Sequence, residues 1–270
     1  MTTYSRKERK ERVLKYFMAT PSKPKNVFWG IILVGLVVLI IKGYLQDDAT
    51  GIAFIIVGLL GLYAALKKFI TITRKYWFEF KRSEPKATDK EMDGWLSDCY
   101  RIVLEEAKRR LGIDEEDISA DPFWIDGPGA ASSIAPGRDL VLRFNQHNIL
   151  LLFLTDHNIA TYKCIFDLGL GEILSDSTQE FPYRDITNLE TKTAADTFYY
   201  YKGAEKTMVR GIQTLSLHTS GGNLTSANFF FRRDIDEDYK VPPSNADLTI
   251  KAIRQKLMEY KNRYGHHRTA

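Results

Sequence analysis

The residues able to do chemistry are few, and their spacing does not gather them. Five histidines occur in 270 residues, His147, His157, His218, His266 and His267. A helical metal site wants ligands one turn apart, and none of the five has a carboxylate four positions away. His266 and His267 sit in a tail expected to fray. The only thiols, Cys99 and Cys164, are far apart, and their expected role is that of small buried hydrophobes in a reducing compartment. Asp234, Asp236, Glu237 and Asp238 cluster, but the glycine and distal glutamate of a calcium loop are missing, so a solvated loop is expected. The glycine- and serine-rich FWIDGPGAASSI stretch inside 122–134 lacks the G-x-x-x-x-G-K-[ST] order of a phosphate loop and reads as a surface loop. No G-x-S-x-G, HExxH, kinase or dinucleotide fingerprint occurs. The expectation is a chain without catalytic residues, without a cofactor and without a metal.

The elements that would position any site divide sharply. Val27 to Ile41 reads VFWGIILVGLVVLII with no charge, and Lys42 to Leu45 extend it. That is about 19 residues, or roughly 28 Å of helix. Lys42 can snorkel to the headgroups. After QDDAT comes a second run, GIAFIIVGLLGLYAAL, from Gly51 to Leu66. It needs Ala49, Thr50 or the stretch from Lys67 to Ile72 to reach across a bilayer. A buried helical pair in a soluble core would show a polar face on each helix. A signal peptide would show a small-residue cleavage site. Neither is present, so a transmembrane hairpin is expected. Gly58, Gly61 and Ala65 form a stripe of small residues suited to close helix packing, which also leaves room for homo-oligomers through these helices. The spans hold no Asp, Glu or His, which argues against a pump or transporter.

Charge sets the expected orientation. Eight basic residues precede the first span, Lys67, Lys68, Arg74 and Lys75 follow the second, and the connecting loop carries only Asp47 and Asp48. By the positive-inside rule both termini lie in the cytoplasm of a bacterial inner-membrane, multi-pass protein. The net charge is +4, yet residues 1–26 contribute +6 and residues 67–90 contribute +5, while the chain from 91 onward carries 21 basic against 27 acidic residues. The excess is juxtamembrane, facing anionic lipid. A surface for duplex nucleic acid would need the reverse.

Residues 1–25 form a basic segment whose SRKERKERVLKYFM run, with Val13, Leu14, Phe17 and Met18 on one face, suits a helix lying in the lipid interface or a solvated tail. The hairpin is assigned to 26–70, and a linker and helical region to 71–138. Within that region Ile70 to Lys81 fits either a helix extension or a strand. Thr88 and Glu91 have capping-box spacing ahead of a helix over Asp89 to Leu111, stopped by Gly112. From Asp139 strands follow at regular spacing: 139–144, 148–155, 159–168, 180–191, 197–201, 212–219 and 225–232, the last two around Ser220-Gly221-Gly222-Asn223, a hairpin signal. A small antiparallel barrel or sandwich is expected. Ile250, Ile253, Leu257, Tyr260 and Tyr264 then mark an amphipathic terminal helix. The fold class read from these patterns is a membrane α-helical hairpin plus a cytoplasmic α+β domain.

The order of strand, Thr155-Asp156 turn, strand, then FPYRDITNLE, further strands and a terminal helix resembles bacterial pleckstrin-homology-like domains over about residues 139–262. Such domains often carry an aromatic, an acidic residue and an isoleucine just before a strand, the places held here by Tyr183, Asp185 and Ile186, and Thr155 and Asp156 match the turn they use. The resemblance implies a PH-like β domain over 139–265 with a capping C-terminal helix, in a class commonly fused to membrane hairpins. The helix over Asp89–Leu111 is an addition a minimal domain of this type does not need. Two functions are compatible with this architecture. One is a membrane-tethered, non-enzymatic binding or scaffold module that docks a protein partner beside the lipid bilayer. The other is similar to two-span β-barrel effectors of bacterial anti-phage defence, in which the β domain senses a small molecule or nucleotide and triggers membrane disruption.

Overall fold

A computed structural model describes residues 4–23, 26–45, 49–114, 121–129, 132–194, 198–202, 205–209, 212–222, 224–230, 240 and 245–264. The acidic cluster at 234–238 and the His266-His267 tail lie outside the described residues. The chain forms two compact units, one from Met1–Met18 together with Lys86–Ala270, the other from Ala19–Pro85. The second unit is thus an insertion into the first.

The inserted unit consists of two helices, α2 (Asn26–Tyr44) and α3 (Ala49–Ser83). Among the described residues one helix is long and apolar enough to cross a membrane, over Thr50–Ser83, with mean hydropathy 1.9 in its most apolar window. The described apolar stretch of α2, Trp29–Tyr44, is shorter. The Ile70–Lys81 segment is helix throughout. A helix already nucleated extends at little cost even through β-branched residues. Nothing here breaks it before Pro85, and the residue ahead of a proline is disfavoured in the α conformation.

The other unit is α+β. Helix α1 (Arg6–Tyr16) opens on a capping box between Ser5 and Glu8. Helix α4 (Asp89–Leu111) opens on the Thr88–Glu91 capping box and stops at Gly112, whose φ of 61° is the left-handed conformation that glycine adopts without a Cβ penalty. A central antiparallel sheet runs in the order β1-β4-β5-β6, with β1 at Phe123–Pro128, β4 at Gln146–Leu154, β5 at Asn158–Asp167 and β6 at Glu172–Pro182. Side chains alternate along β4. Ile149, Leu151 and Phe153 join Val13 of α1 and Met92, Trp95, Cys99 and Val103 of α4 in one apolar cluster.

Leu150, Leu152 and Leu154 face a second cluster. It holds Leu215 and Leu217 of β10 (Ile212–Thr219), Ala227 of β11 (Leu224–Phe230), and Ile250 and Ile253 of α5 (Ala246–Tyr264). Burial on both faces explains why this strand reads as a continuous apolar run rather than an alternation. It also gives α4 a purpose that a minimal β domain lacks, because α4 covers the second face of the sheet.

Strands β10, β11 and β7 (Ile186–Ala194) form an antiparallel sheet in the order β11-β10-β7. A third sheet orders β3 (Leu142–Phe144), β2 (Ile134–Pro136), β8 (Phe198–Lys202) and β9 (Glu205–Val209) as β3-β2-β8-β9, with β2 parallel to β8. No sheet closes on itself among the described residues, so the barrel expectation gives way to packed sheets with a C-terminal helix.

Three further expectations change. The FWIDGPGAASSI stretch is not a surface loop, since it supplies β1, paired with β4 from Phe123↔Leu152 to Pro128↔His147, and then β2. The strand read over 180–191 is two strands separated by a 3-10 turn at Tyr183–Asp185. Most consequentially, α1 is neither a lipid-interface helix nor a solvated tail. Val13 is buried in the domain core, and the main chain of Arg12 accepts a hydrogen bond from Ala87 N–H at 3.1 Å. The described part of the domain therefore includes α1, leaves at Met18 and resumes at Lys86.

Candidate functional site

In the helical pair, the glycines lie where α2 and α3 approach. A Cβ added to Gly58 would lie 2.5 Å from Ile40 Cγ1, and one added to Gly61 would lie 2.8 Å from Leu36 Cδ2. Gly43 on α2 is tighter in kind, because its Cβ would meet the Gly51 main-chain oxygen at 2.7 Å. Ala65 is buried. The stripe faces α2 of the same chain. Gly58→Leu is expected to force the two helices apart at a cost of about 1–3 kcal/mol. Disulfide formation between Leu36→Cys and Gly61→Cys reports it, falling by more than half in the Gly58→Leu background. Unchanged cross-linking would contradict the packing.

The residues carrying the family resemblance meet at one corner of the domain. Thr155 Oγ1 donates to Asn158 at the β4–β5 turn, and Tyr183 Oη donates to Thr155 O at 2.9 Å. Asp185 O accepts from Ser220 N–H at 2.8 Å, which ties the 3-10 turn to the β10–β11 hairpin. Ile186 is buried in the second apolar cluster. Asp156 lies 3.7 Å from Lys256 Nζ on α5, and the Tyr183 and Tyr260 rings are 5.5 Å apart. Burial pushes the Tyr183 phenol above its usual range. These residues fasten the corner where β4, β5, β7 and α5 converge.

A second constellation lies between α4 and the central sheet. His147, on β4, is buried, and its Nδ1 lies 3.0 Å from Asp126 Oδ2 on β1. Tyr100 Oη, on α4, donates to the same oxygen at 2.7 Å. Burial first, then the Asp126 charge, raises the Tyr100 phenol pKa. Beside this trio, Arg143 is 8% exposed, with Nε and Nη2 on Asp93 at 2.8 Å and Nη1 and Nη2 on Asp139 at 2.8 and 2.7 Å. The guanidinium holds the Asp139 carboxyl down at about 2. Both groups border a cavity of about 50 Å³ whose apolar wall includes Met92, Leu96, Leu142 and Phe144. The cavity offers an imidazole–carboxylate pair, but among the described residues no Ser, Thr or Cys lines it. Among the described residues no three His, Cys, Asp or Glu side chains gather as metal ligands. Cys99 and Cys164 are both buried and unpaired in disulfides, and burial raises their thiol pKa values, Cys164 to about 12.

A third cluster docks α1. Glu91 accepts from Tyr4 Oη at 2.6 Å, from Arg12 Nη2 at 2.7 and 2.9 Å, and from Thr88 N–H at 2.7 Å. Tyr16 Oη donates to Asp89 at 2.8 Å. Arg9 Nε donates to Leu168 O at 2.7 Å while its guanidinium lies 5.1 Å over the Trp95 ring. Burial alone would raise the Glu91 pKa, but the hydrogen bonds from Tyr4, Thr88 and Arg12 outweigh it and hold it down at about 2. A carboxyl depressed in the folded state contributes stability that is fully present above its unfolded pKa and lost as pH falls through the folded one. The docking of α1 should therefore weaken between about pH 4.5 and about pH 2. Glu91→Gln should flatten the acid limb of a thermal-melt series, and an identical limb in both proteins would refute the assignment.

The sequence pattern singles out the corner residues and the small-residue stripe, offers His147 only as a rejected metal ligand and Glu91 only as a helix cap, and gives no signal for Tyr100, Asp126 or Arg143. The chain matches no family model, and no curated protein or solved structure matches it. The fold and these clusters define a class only, an α+β domain into which an apolar helical pair is inserted.

Proposed function

We propose that this is a bacterial inner-membrane protein in which α2 and α3 cross the bilayer as a hairpin, with both termini in the cytoplasm, displaying a PH-like, non-enzymatic binding or scaffold domain. The observation that carries the reading is the insertion. Residues before α2 and residues after α3 build one folded body, with Arg12 O bonded to Ala87 N–H and Met18 O accepting from Lys86 Nζ. A polypeptide that crossed a membrane once would leave these partners on opposite sides. If α3 crosses, α2 must cross too. The distribution of Lys and Arg supports the cytoplasmic side. The PH-like reading draws support from the order of a four-stranded and then a three-stranded antiparallel sheet, with α5 on their shared core. Because the small-residue stripe is used inside the hairpin, association between copies would employ other helix faces.

Single-cysteine labelling tests this. Both native thiols are buried. In intact spheroplasts, Asp48→Cys should react with a membrane-impermeant maleimide, whereas Leu174→Cys, at an exposed position on β6, should react only after permeabilisation. Labelling of Leu174→Cys from outside would overturn the topology.

A further inference from the structure

The cations after the apolar run are not merely numerous. Lys67, Lys68, Arg74, Lys75, Lys81 and Arg82 form three pairs exactly seven residues apart. On an α-helix a seven-residue repeat returns to nearly the same face, drifting only about 20° per repeat, and successive pairs are about 10 Å apart along the axis. All six side chains are exposed, whereas Ile72, Thr73, Tyr76 and Phe80, on the opposite face, are half-buried. The only acidic residue between 67 and 83 is Glu79, near Lys75 at 3.9 Å. Bordering the stripe are two exposed aromatics, Trp77 at 54% and Phe78 at 71%.

The stripe has a defined level in the hairpin. Lys68 Nζ lies 5.4 Å over the Trp29 ring near the start of α2, and Lys42 Nζ lies 5.6 Å over the Phe54 ring near the other end. Cation–aromatic contacts of this kind suit the boundary between hydrocarbon and headgroups. The boundary-marking residues of α3, Phe54 and Lys68, are about 21 Å apart along the helix, with no charged residue between them except Lys67. The cationic stripe thus begins where the apolar zone ends, on the same uninterrupted helix.

We propose that Lys67 and Lys68, at the head of this stripe, bind the phosphates of anionic phospholipids in the cytoplasmic leaflet, while the pairs farther along α3 add longer-range attraction to the same charged surface. The inference rests on the hairpin reading above. Nucleic acid offers the same phosphate chemistry, and exposed rings beside cations can stack on bases, but it does not account for the continuity of the cations with a helix able to span lipid. Lipid does.

The test uses the full-length chain reconstituted in liposomes of phosphatidylcholine with a minor fraction of phosphatidylglycerol, extracted into polymer-bounded nanodiscs. The phosphatidylglycerol fraction held around the protein should exceed that of the bulk by about fivefold, the effect of a single cation near a charged surface, and should decline between low and high salt as screening sets in. K67Q/K68Q/R74Q/K75Q/K81Q/R82Q should abolish the enrichment, and K67R/K68R/K75R/K81R should keep it. An alkaline wash that strips the wild-type chain from the liposomes would overturn the hairpin and this proposal together. A chain retained after the wash but without phosphatidylglycerol enrichment, or with enrichment unchanged in the glutamine variant, would overturn this proposal alone. Displacement of the lipid by an equal phosphate concentration of a short RNA would assign the stripe to nucleic acid and overturn it as well.

Discussion

His147→Leu should destabilise the α+β domain by about 1–3 kcal/mol, the usual cost of leaving a buried polar group short of a hydrogen-bond partner. The imidazole and the Asp126 carboxyl are almost fully enclosed, with side-chain exposures of 3% and 9%. The leucine would fill much of the ring's volume, so the loss is not that of a cavity. It arises because Asp126 would remain buried with only Tyr100 Oη donating to it. The same reasoning predicts a non-additive pair. Asp126→Leu in the His147→Leu background should recover part of the stability, since two polar groups replaced together leave less unsatisfied than one alone. Urea unfolding of the full-length chain in neutral detergent measures both. A single variant costing under about 1 kcal/mol, or a double variant worse than the sum of the singles, would show that the pair contributes little.

Val13→Asp should release α1 from the domain, at a cost of about 3 kcal/mol or more, because a carboxylate would replace an apolar side chain buried in the core. Val13 packs with Leu168 and Trp95 in the first apolar cluster. Arg9, one turn back, could reach the carboxylate, but the group would still sit against Trp95 and Leu168, so the helix lifts away, and the loss is capped by whatever docking contributes. Part of that docking is the Arg12–Glu91 pair, whose side chains are 18% and 22% exposed. Limited proteolysis reads the result. In the wild type, cleavage within residues 6–16 should be slow, and in Val13→Asp it should accelerate at least tenfold while the central sheet over 146–182 stays resistant. Val13→Leu should leave the rate nearly unchanged, as a conservative apolar exchange. Equal cleavage in all three would mean that α1 is not held as described.

Much of this molecule is legible locally. The apolar runs, the Thr88–Glu91 cap, the Gly112 stop and the Ser220–Asn223 turn each depend on residues within a few positions of one another, and each occurs where the pattern puts it, apart from Asn223, which is outside the described residues. The ambiguous segment after Leu66 is different. Its β-branched and aromatic composition favours a strand as much as a helix, and the outcome turned on its attachment to a helix already formed. For β1 the signal existed in Phe123, Trp124 and Ile125, but the glycines and serines that follow obscured it.

What the sequence alone determined is the set of near-neighbour facts: an apolar helical pair, an antiparallel β region, an amphipathic terminal helix and where the positive charge lies. What only the tertiary structure decided is which element covers which. Val13 could have met lipid as readily as protein by composition, and Asp126, His147 and Arg143 are unremarkable charges until β1, β4 and α4 converge. The physical reason is that periodicity specifies a face to be buried, not the surface that buries it. That choice is made by contacts between residues as distant as Arg12 and Glu91, whose joint free energy exists only in the folded chain.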